Sequence, residues 1–416
     1  MSLRSCRLTM LLALTSLVLP ALASMPGTHA DHSHDALQVV DSLSLTDVVN
    51  AALSRTPLQA VPEARRQEAE VLASRSGSPL SGSPALLLRH QTDRWQSRLG
   101  AQEWEAGVEL PLWRWGQRSA LASEAGHAER YALLYAQLRR WLVAGQVREA
   151  YWLVQLSDWL EDRARLDLGA WRQLEQDVLR RIQAGDAAPA ERLVAEGARR
   201  ERELMLHEAE TRHVDSEVQW RLLTGLDRLP TSREETLALA DDSPWPPVAA
   251  ARELLAKQQD ALDSARALGA GPPRLLLGSR REQVGSERID SLGATLTLPF
   301  GGPSHQRQAL VTPTLQQAEA ADALRQAERD AAIVRHEARH ELNARRIAAE
   351  LGSARLGLSR DEIRLARRAY VLGEISLNER LLAEQRHAEV ERQHGVARLQ
   401  LALAIARYNQ AWGVTP

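Results

Sequence analysis

Gly185 to Glu196 reads GDAAPAERLVAE, and Gly373 to Glu384 reads GEISLNERLLAE. The two stretches lie 188 positions apart and keep register, since Gly185 falls on Gly373 and Glu191-Arg192-Leu193-Val194-Ala195-Glu196 falls on Glu379-Arg380-Leu381-Leu382-Ala383-Glu384. The same shift carries Leu110-Pro111 onto Leu298-Pro299 and Gly225 onto Gly413. A proline after an alternating segment, a glycine turn and a closing glycine all repeat without a gap. That marks the duplication of a whole supersecondary unit. The expected fold is pseudo-symmetric, with a first repeat over residues 44–240 and a second over 241–416.

Around each glycine turn lie long runs with few helix breakers. They predict helices over residues 117–184 and 189–224, and again over 304–372 and 377–412, with Pro313 the one proline within the third. The longer runs would each extend roughly 100 Å. In the last helix, Leu381, Ala388, Val396, Leu399, Leu403 and Ala406 recur near spacings of three, four and seven, so one stripe faces a partner.

Upstream of each long run the period changes. Trp104, Ala106, Val108, Leu110 and Leu112 alternate with Glu103, Glu105, Gly107, Glu109 and Pro111. Period two means a strand. Leu292, Ala294, Leu296 and Leu298 alternate in the same way with Ser291, Gly293, Thr295 and Thr297. Less regular partner strands precede them at Ala85–Trp95 and Arg274–Glu282, which gives one hairpin per repeat, over residues 85–113 and 274–298. Leu45 to Ser74 predicts an opening helix, capped by Ser44 or Thr46, kinked at Pro57 and broken by Gly77-Ser78-Pro79. Asp241 to Pro247 reads as the linker between the repeats.

The N-terminus carries an export address. Arg4 and Arg7, the apolar Leu8 to Leu19 and the small-x-small Ala21-Leu22-Ala23 fit a signal peptide over residues 1–23. Cys6, the only cysteine, precedes the apolar stretch, so a mature chain would hold no thiol and no disulfide. No other run is apolar and long enough for a membrane helix. Residues 24–43 form a flexible lead in which His29, His32 and His34 lie among Asp31 and Asp35. Such a cluster is a candidate for loose metal binding and equally a solvated tail. Removing Arg4 and Arg7 with the signal takes the net charge from −2 to −4, and nothing in it points to nucleic acid. Lys257 is the single lysine beside many arginines, so the arginines reflect genome composition rather than phosphate binding.

Two hairpins supply four strands, too few to close a barrel, and open edges are not tolerated in lipid. Three copies supply twelve strands, enough for a wide lumen. The same three copies would close the long helices into a cylinder. The fold class that follows is mainly α with a membrane β-barrel: duplicated strand hairpins and long coiled-coil helices, a trimeric twelve-strand barrel and an α-helical tunnel in the periplasm. Glu103, Glu105 and Glu109 share the face that should line the wet lumen. Trp95, Trp104, Trp113 and Trp115 cluster at the ends of the first hairpin, where an aromatic girdle or ordinary packing would place them.

With these features the chain resembles the TolC-type outer-membrane efflux proteins, over nearly all of its mature length. The resemblance rests on the two-fold repeat, on Leu-Pro after each second strand, and on Tyr370-x-x-Gly373-x-x-Ser376-x-x-Glu379-x-x-x-Ala383, with Ala406-x-Tyr408-Asn409 through Gly413 closing it. It implies a homotrimeric outer-membrane channel of a tripartite efflux system. The channel would dock through a periplasmic adaptor onto an inner-membrane pump of the resistance-nodulation-division type, with no cofactor and no enzymatic activity. The adaptor would meet the turns at Gly185 and Asp186 and at Gly373 and Ser376. A carboxylate gate would fall on Glu379 and its repeat mate Glu191, where crowded like charges raise pKa. The family's second acidic position falls on Leu382 and Val194, so the acidic ring is thinner here. The first turn also departs, with Ala188 and Pro189 in place of the serine pattern. The histidine lead leans toward the family's heavy-metal branch, while drugs, or proteins through a type I secretion duct, are the other cargo readings.

His336-Glu337-Ala338-Arg339-His340 spells a zinc-peptidase pattern. Its repeat mate, Arg148-Glu149-Ala150-Tyr151-Trp152, cannot bind metal, and no downstream Gly-x-x-His completes it. The rivals to a channel are thus a secreted zinc peptidase and a periplasmic coiled-coil scaffold, and the scaffold leaves the two hairpins without a purpose.

Overall fold

The computed structural model describes residues 36–56, 60–95, 100–231, 234–239, 244–301 and 303–416. The signal segment, Cys6 and the His29, His32 and His34 cluster lie outside these residues, as do Pro57 and Asp241 to Ser243.

A short strand β1 (Gln38–Val40) leads to helices α1 (Leu45–Arg55) and α2 (Ala60–Gly77). The single helix expected over 45–74 is thus two, ending at Arg55 and resuming at Ala60. Ser44, not Thr46, caps α1: its hydroxyl accepts from the Asp47 N–H while the Asp47 carboxylate accepts from the Ser44 N–H. Both orphan donors are met in this way. Thr46 donates to the carbonyl of Pro416 and ties down the C-terminus.

Strands β2 (Ala85–Thr92) and β3 (Gln102–Pro111) form the first hairpin, followed by α3 (Gln117–Ala184) and α4 (Ala190–Thr224). Then come β4 (Arg228–Pro230), α5 (Pro246–Leu268), β5 (Arg274–Val284), β6 (Glu287–Thr297), α6 (Pro303–Val371) and α7 (Leu377–Ala411). Three features depart from the sequence expectation. Helix α5 starts inside the expected linker, with Pro246 and Pro247 at its first positions, where a missing N–H costs nothing. Strand β6 begins at Glu287, before the alternation is visible, because Glu287, Arg288 and Asp290 interrupt the apolar pattern. Strands β1 and β4 pair in parallel, a contact between segments too short to carry a period. Helix α6 runs through Pro313, which costs it an internal hydrogen bond.

The four longer strands make one antiparallel sheet in the order β2-β3-β5-β6. Register from Gln102↔Gln283 to Pro111↔Arg274 joins the two hairpins. Gly107, Gly278 and Gly293 lie in one row across three strands. A Cβ at Gly107 would sit 2.9 Å from the Leu277 carbonyl oxygen, and one at Gly278 only 2.7 Å from that of Ala106. Glycine there lets neighbouring backbones approach and the sheet coil.

Below the sheet, α3 packs on α4, and α6 on α7; α3 also packs on α7, which sets the hairpins side by side. Helix α2 lies on α3, and α5 bridges α3 and α6. The only lysine, Lys257, is buried on α5 and paired with Glu68 of α2. Beside them, burial pushes the Glu124 carboxyl above its ordinary value. The main core joins Val48, Val49 and Ala52 of α1 to Val147, Tyr151 and Val154 of α3, Trp220 of α4 and Ala406 of α7. Trp220 is fully buried, and its indole N–H donates to the Arg228 carbonyl at 3.1 Å. Truncating such an aromatic costs about 3–5 kcal/mol.

Candidate functional site

The sheet has two unlike faces. Pleating puts Glu103, Glu105 and Glu109 on one face with Arg280, Leu276 and Arg89 from the neighbouring strands. Arg280 binds Glu103 at 2.9 Å, and Arg274 binds Glu109 at 3.1 Å. Arg89 lies 3.9 Å from Glu105. Ser291, Gly293, Thr295 and Thr297 of β6 continue this polar face. The other face carries Leu86 and Leu88, Ala106 and Val108, Leu275 and Leu277, and Ala294 and Leu296, facing one another in register. Leu86, Leu88, Leu292 and Leu296 are exposed, as are β2 and β6 along their outer edges. Of the tryptophans, Trp95 lies beyond β2 at one end and Trp115 beyond β3 at the other, both almost fully exposed. Trp113 is tucked in, donating to the Ser78 carbonyl at 2.9 Å, and Trp104 lies within β3.

At the far end of the helices are the two expected turns. Each helix closes on a left-handed glycine, Gly185 (φ 82°) and Gly373 (φ 76°). At the first, the Gly185 N–H donates to the Ile182 carbonyl and the Asp186 N–H to that of Arg181. At the second, the Gly373 N–H donates to Tyr370 and the Glu374 N–H to Ala369. Both are Schellman closures, which satisfy the last carbonyls of a helix. The next helices start differently. Ser376 caps α7 with Glu379 in a reciprocal box. Pro189 precedes α4 without any side-chain cap.

Beneath the turns lies a small core of Trp171, Leu174, Val178, Ala195, Tyr370, Leu377 and Leu381, drawn from all four long helices. The Tyr370 ring sits between two guanidinium groups, Arg181 of α3 and Arg380 of α7, each 4.7 Å from its centre. Arg367 grips Glu384 through two hydrogen bonds of 2.8 and 2.7 Å, and Glu384 lies 3.8 Å from Arg380. Cations over aromatic faces are attractive when partly desolvated. No local pattern announces this clamp, since Arg181 reaches it from α3, far from α6 and α7 in the chain.

Glu379 and Glu191 each stand near the start of the helix after a turn, as their register requires. The expected upward shift of the carboxylates is not what one chain shows at Glu379. The Ser376 N–H and then its hydroxyl hold that carboxyl below its ordinary value. The neighbouring Arg380 does not pair with Glu379 but turns to Tyr370 and Glu384. Leu382 and Val194, at the second acidic position of the resembled family, are exposed apolar side chains.

His336 and His340 are exposed on α6, their ring centres 6.5 Å apart. Among the described residues no group of three His, Cys, Asp or Glu side chains is placed to hold a metal ion. Their repeat neighbourhood in α3 matters structurally. Arg148, the mate of His336, is buried, donates to both oxygens of Glu235 at 2.7 Å, and also donates to Gln410 and the Val414 carbonyl. Asn409 adds a bond to Glu235 at 3.0 Å. A lone arginine on a helix rich in arginines offered no signal for this joint.

No family profile and no curated protein sequence matches this chain. Solved structures do. A membrane protein from Pseudomonas aeruginosa superposes with a TM-score of 0.70 at 19% identity, covering 91% of this chain and 92% of that one. The Campylobacter jejuni CmeC outer-membrane channel gives 0.67 at 17% identity, over 89% and 85%. CusC, described for transmembrane channel formation, gives 0.70 at 14% identity, over 94% and 97%. The strand hairpins, the paired long helices and their closing turns thus recur together across nearly the whole of each chain, and this chain has the fold of the TolC-type outer-membrane channels.

Proposed function

We propose that this chain is one subunit of a homotrimeric outer-membrane channel that conducts substrates passively from the periplasm to the exterior. The observation that carries the reading is an open four-stranded sheet with one apolar and one polar face and both edges unpaired. Its strands of 8, 10, 11 and 11 residues are close to the length that crosses a bilayer. A free edge and an exposed apolar face have one joint remedy, closure with further copies into a barrel in lipid. A scaffold without a pore leaves that face in water.

Helix α6 supports association with a further copy. Leu342, Leu356, Ile363 and Tyr370 are buried at multiples of seven residues. Leu351, Leu358, Leu365 and Leu372 also recur every seven but are 67, 74, 64 and 62% exposed. Two heptad seams on different sides of one helix ask for two partners. Helix α7 takes the first, and the edge helix α4 of a second copy, with exposed Leu193, Leu204 and Leu222, takes the other.

In this assembly the two glycine turns face a periplasmic adaptor, which links the channel to an inner-membrane pump. Gly185, Asp186, Gly373 and Ser376 form the docking surface. Glu191 and Glu379 of three chains ring the axis at the tip. Metal ions or drugs are the cargo, set by the pump; the likeness to CusC, at a TM-score of 0.70, matches that to the Pseudomonas aeruginosa protein and does not separate them. Membrane fractionation followed by gentle detergent extraction tests the whole reading. A particle of three mature masses in the outer-membrane fraction is expected, and a soluble monomer or dimer would overturn it in favour of the scaffold.

A further inference from the structure

The apolar face of the sheet is not apolar along its whole length. At the end bearing the helices it consists of Leu86, Val108, Leu110, Leu275 and Leu296. At the end bearing the two hairpin turns the same face changes chemistry. His90, Trp104, Arg281 and Asp290 stand opposite one another on four adjacent strands. Arg288 lies two residues beyond Asp290 on the same face.

The cluster is organised. The His90 and Trp104 rings stack with centres 4.1 Å apart. Arg281 donates through Nε to Asp290 at 2.6 Å, and Arg288 Nε lies 3.5 Å from the other carboxylate oxygen. Two guanidinium groups share one carboxylate, which leaves a net positive charge on a face that is otherwise aliphatic. The three side chains are 54, 51 and 58% exposed for Arg281, Arg288 and Asp290. Only Nε atoms are engaged in these contacts, so the forked ends of both arginines remain open to an outside acceptor.

This inference rests on the membrane-barrel reading, which places the hairpin turns outside and the helices in the periplasm. Asp290 stands three residues from the β5–β6 turn, roughly 10 Å along the strand. That is the depth of the outer-leaflet headgroups. Charge on a lipid-facing strand is costly near the midplane and tolerated near the interface, and indole rings settle at that same level. A guanidinium fork matches phosphate geometry better than an ammonium.

The geometry points to a binding site for the phosphate-bearing headgroup of an outer-leaflet glycolipid, on the lipid-facing side of each hairpin pair. Arg281 and Arg288 hold the phosphate, Asp290 fixes the spacing of the two forks, and the Trp104–His90 stack supports the sugar or upper acyl region.

The test uses the full-length trimer in detergent, by native mass spectrometry, with diphosphorylated lipid A, fully dephosphorylated lipid A and inorganic phosphate as probes. The parent should retain up to three diphosphorylated molecules per trimer and discriminate against the dephosphorylated form. R281Q/R288Q should bind the diphosphorylated probe about tenfold more weakly or worse, with pore conductance unchanged. D290N, which loosens the spacing of the two forks, should also weaken binding, by less than R281Q/R288Q. Equal retention by parent and R281Q/R288Q, or equal retention of the dephosphorylated probe, overturns the inference. Displacement of the lipid by millimolar inorganic phosphate overturns the lipid assignment in favour of a free-anion site. Failure of the parent to form a trimer is seen in the same spectra before any lipid is added, and sinks the channel reading together with this site.

Discussion

The two tip turns close in the same way and open in different ways. Both end a helix on a left-handed glycine with the same pair of backbone hydrogen bonds. Only the second then begins its helix with a capping box, at Ser376 and Glu379, while the Arg181–Tyr370–Arg380 clamp joins the two turns, Arg181 coming from the helix that ends at the first. Ile182 occupies the place of Tyr370 in the first turn, and Pro189 leads α4 without a cap. Duplication kept what the backbone needs to reverse direction. Side chains then capped the helix after only one of the two turns. The halves diverge in the same manner higher up, where Arg148 is a buried joint and its mate His336 is exposed.

The largest effect expected is at that upper pair. Arg148→Ala removes a buried arginine and leaves the half-buried Glu235 with Asn409 alone, and should cost about 3 kcal/mol, whereas His336→Ala should stay within about 0.5 kcal/mol. Urea titration of both variants checks this. Comparable losses would break the asymmetry between the halves, and loss of bound metal in His336→Ala would revive the peptidase reading.

Valine at Gly373 or Gly185 comes next. A Cβ meets nothing within 4 Å at either site, so the cost is backbone strain alone. About 1–2 kcal/mol is expected at each for a left-handed residue. Similar stability losses with an intact trimer but reduced adaptor-dependent export would support the turns as docking sites. Normal export in the Gly373 variant would remove it from that surface.

Ser376→Ala should cost about 1 kcal/mol, and it should raise local hydrogen exchange at the second turn only. The same cap responds to acid. Glu379 has its folded pKa lowered by Ser376, so its stabilisation is present above the ordinary glutamate pKa and is lost as pH falls through the lowered value. Amide exchange recorded between about pH 6 and pH 3 should therefore show the second turn losing its protection with acid while the uncapped first turn changes less. Equal loss at both would show that the cap does not matter. Glu191→Ala with Glu379→Ala loses the same cap and should cost about as much as Ser376→Ala, so its distinct readout is conduction. That double variant should lower cation selectivity of the reconstituted pore, and unchanged selectivity would end the idea of a carboxylate ring.

Much of the architecture was legible before any coordinates. Glu103 to Trp113 announced its strand because alternate side chains meet opposite environments, and Gln117 to Ala184 its helix because it lacks breakers over many turns. The candidate site was legible only in outline. Gly185 and Gly373 could be placed at turns, since few other residues accept a positive φ. The downward shift at Glu379 has no local sequence signal beyond the Ser376-x-x-Glu379 spacing, because it depends on the Ser376 N–H and hydroxyl turning back onto the carboxylate.

By itself the sequence determined the duplication, the long helices, the alternating strands and the glycine turns, all properties that local periodicity and backbone freedom encode within a few residues. The tertiary structure decided that β3 pairs with β5 in the register Gln102↔Gln283, that α5 bridges α3 and α6, that Arg148 is buried and that Tyr370 lies between two arginines. Those outcomes depend on which surfaces of separate elements meet, and no local period specifies the partner of a free edge or of an exposed heptad seam.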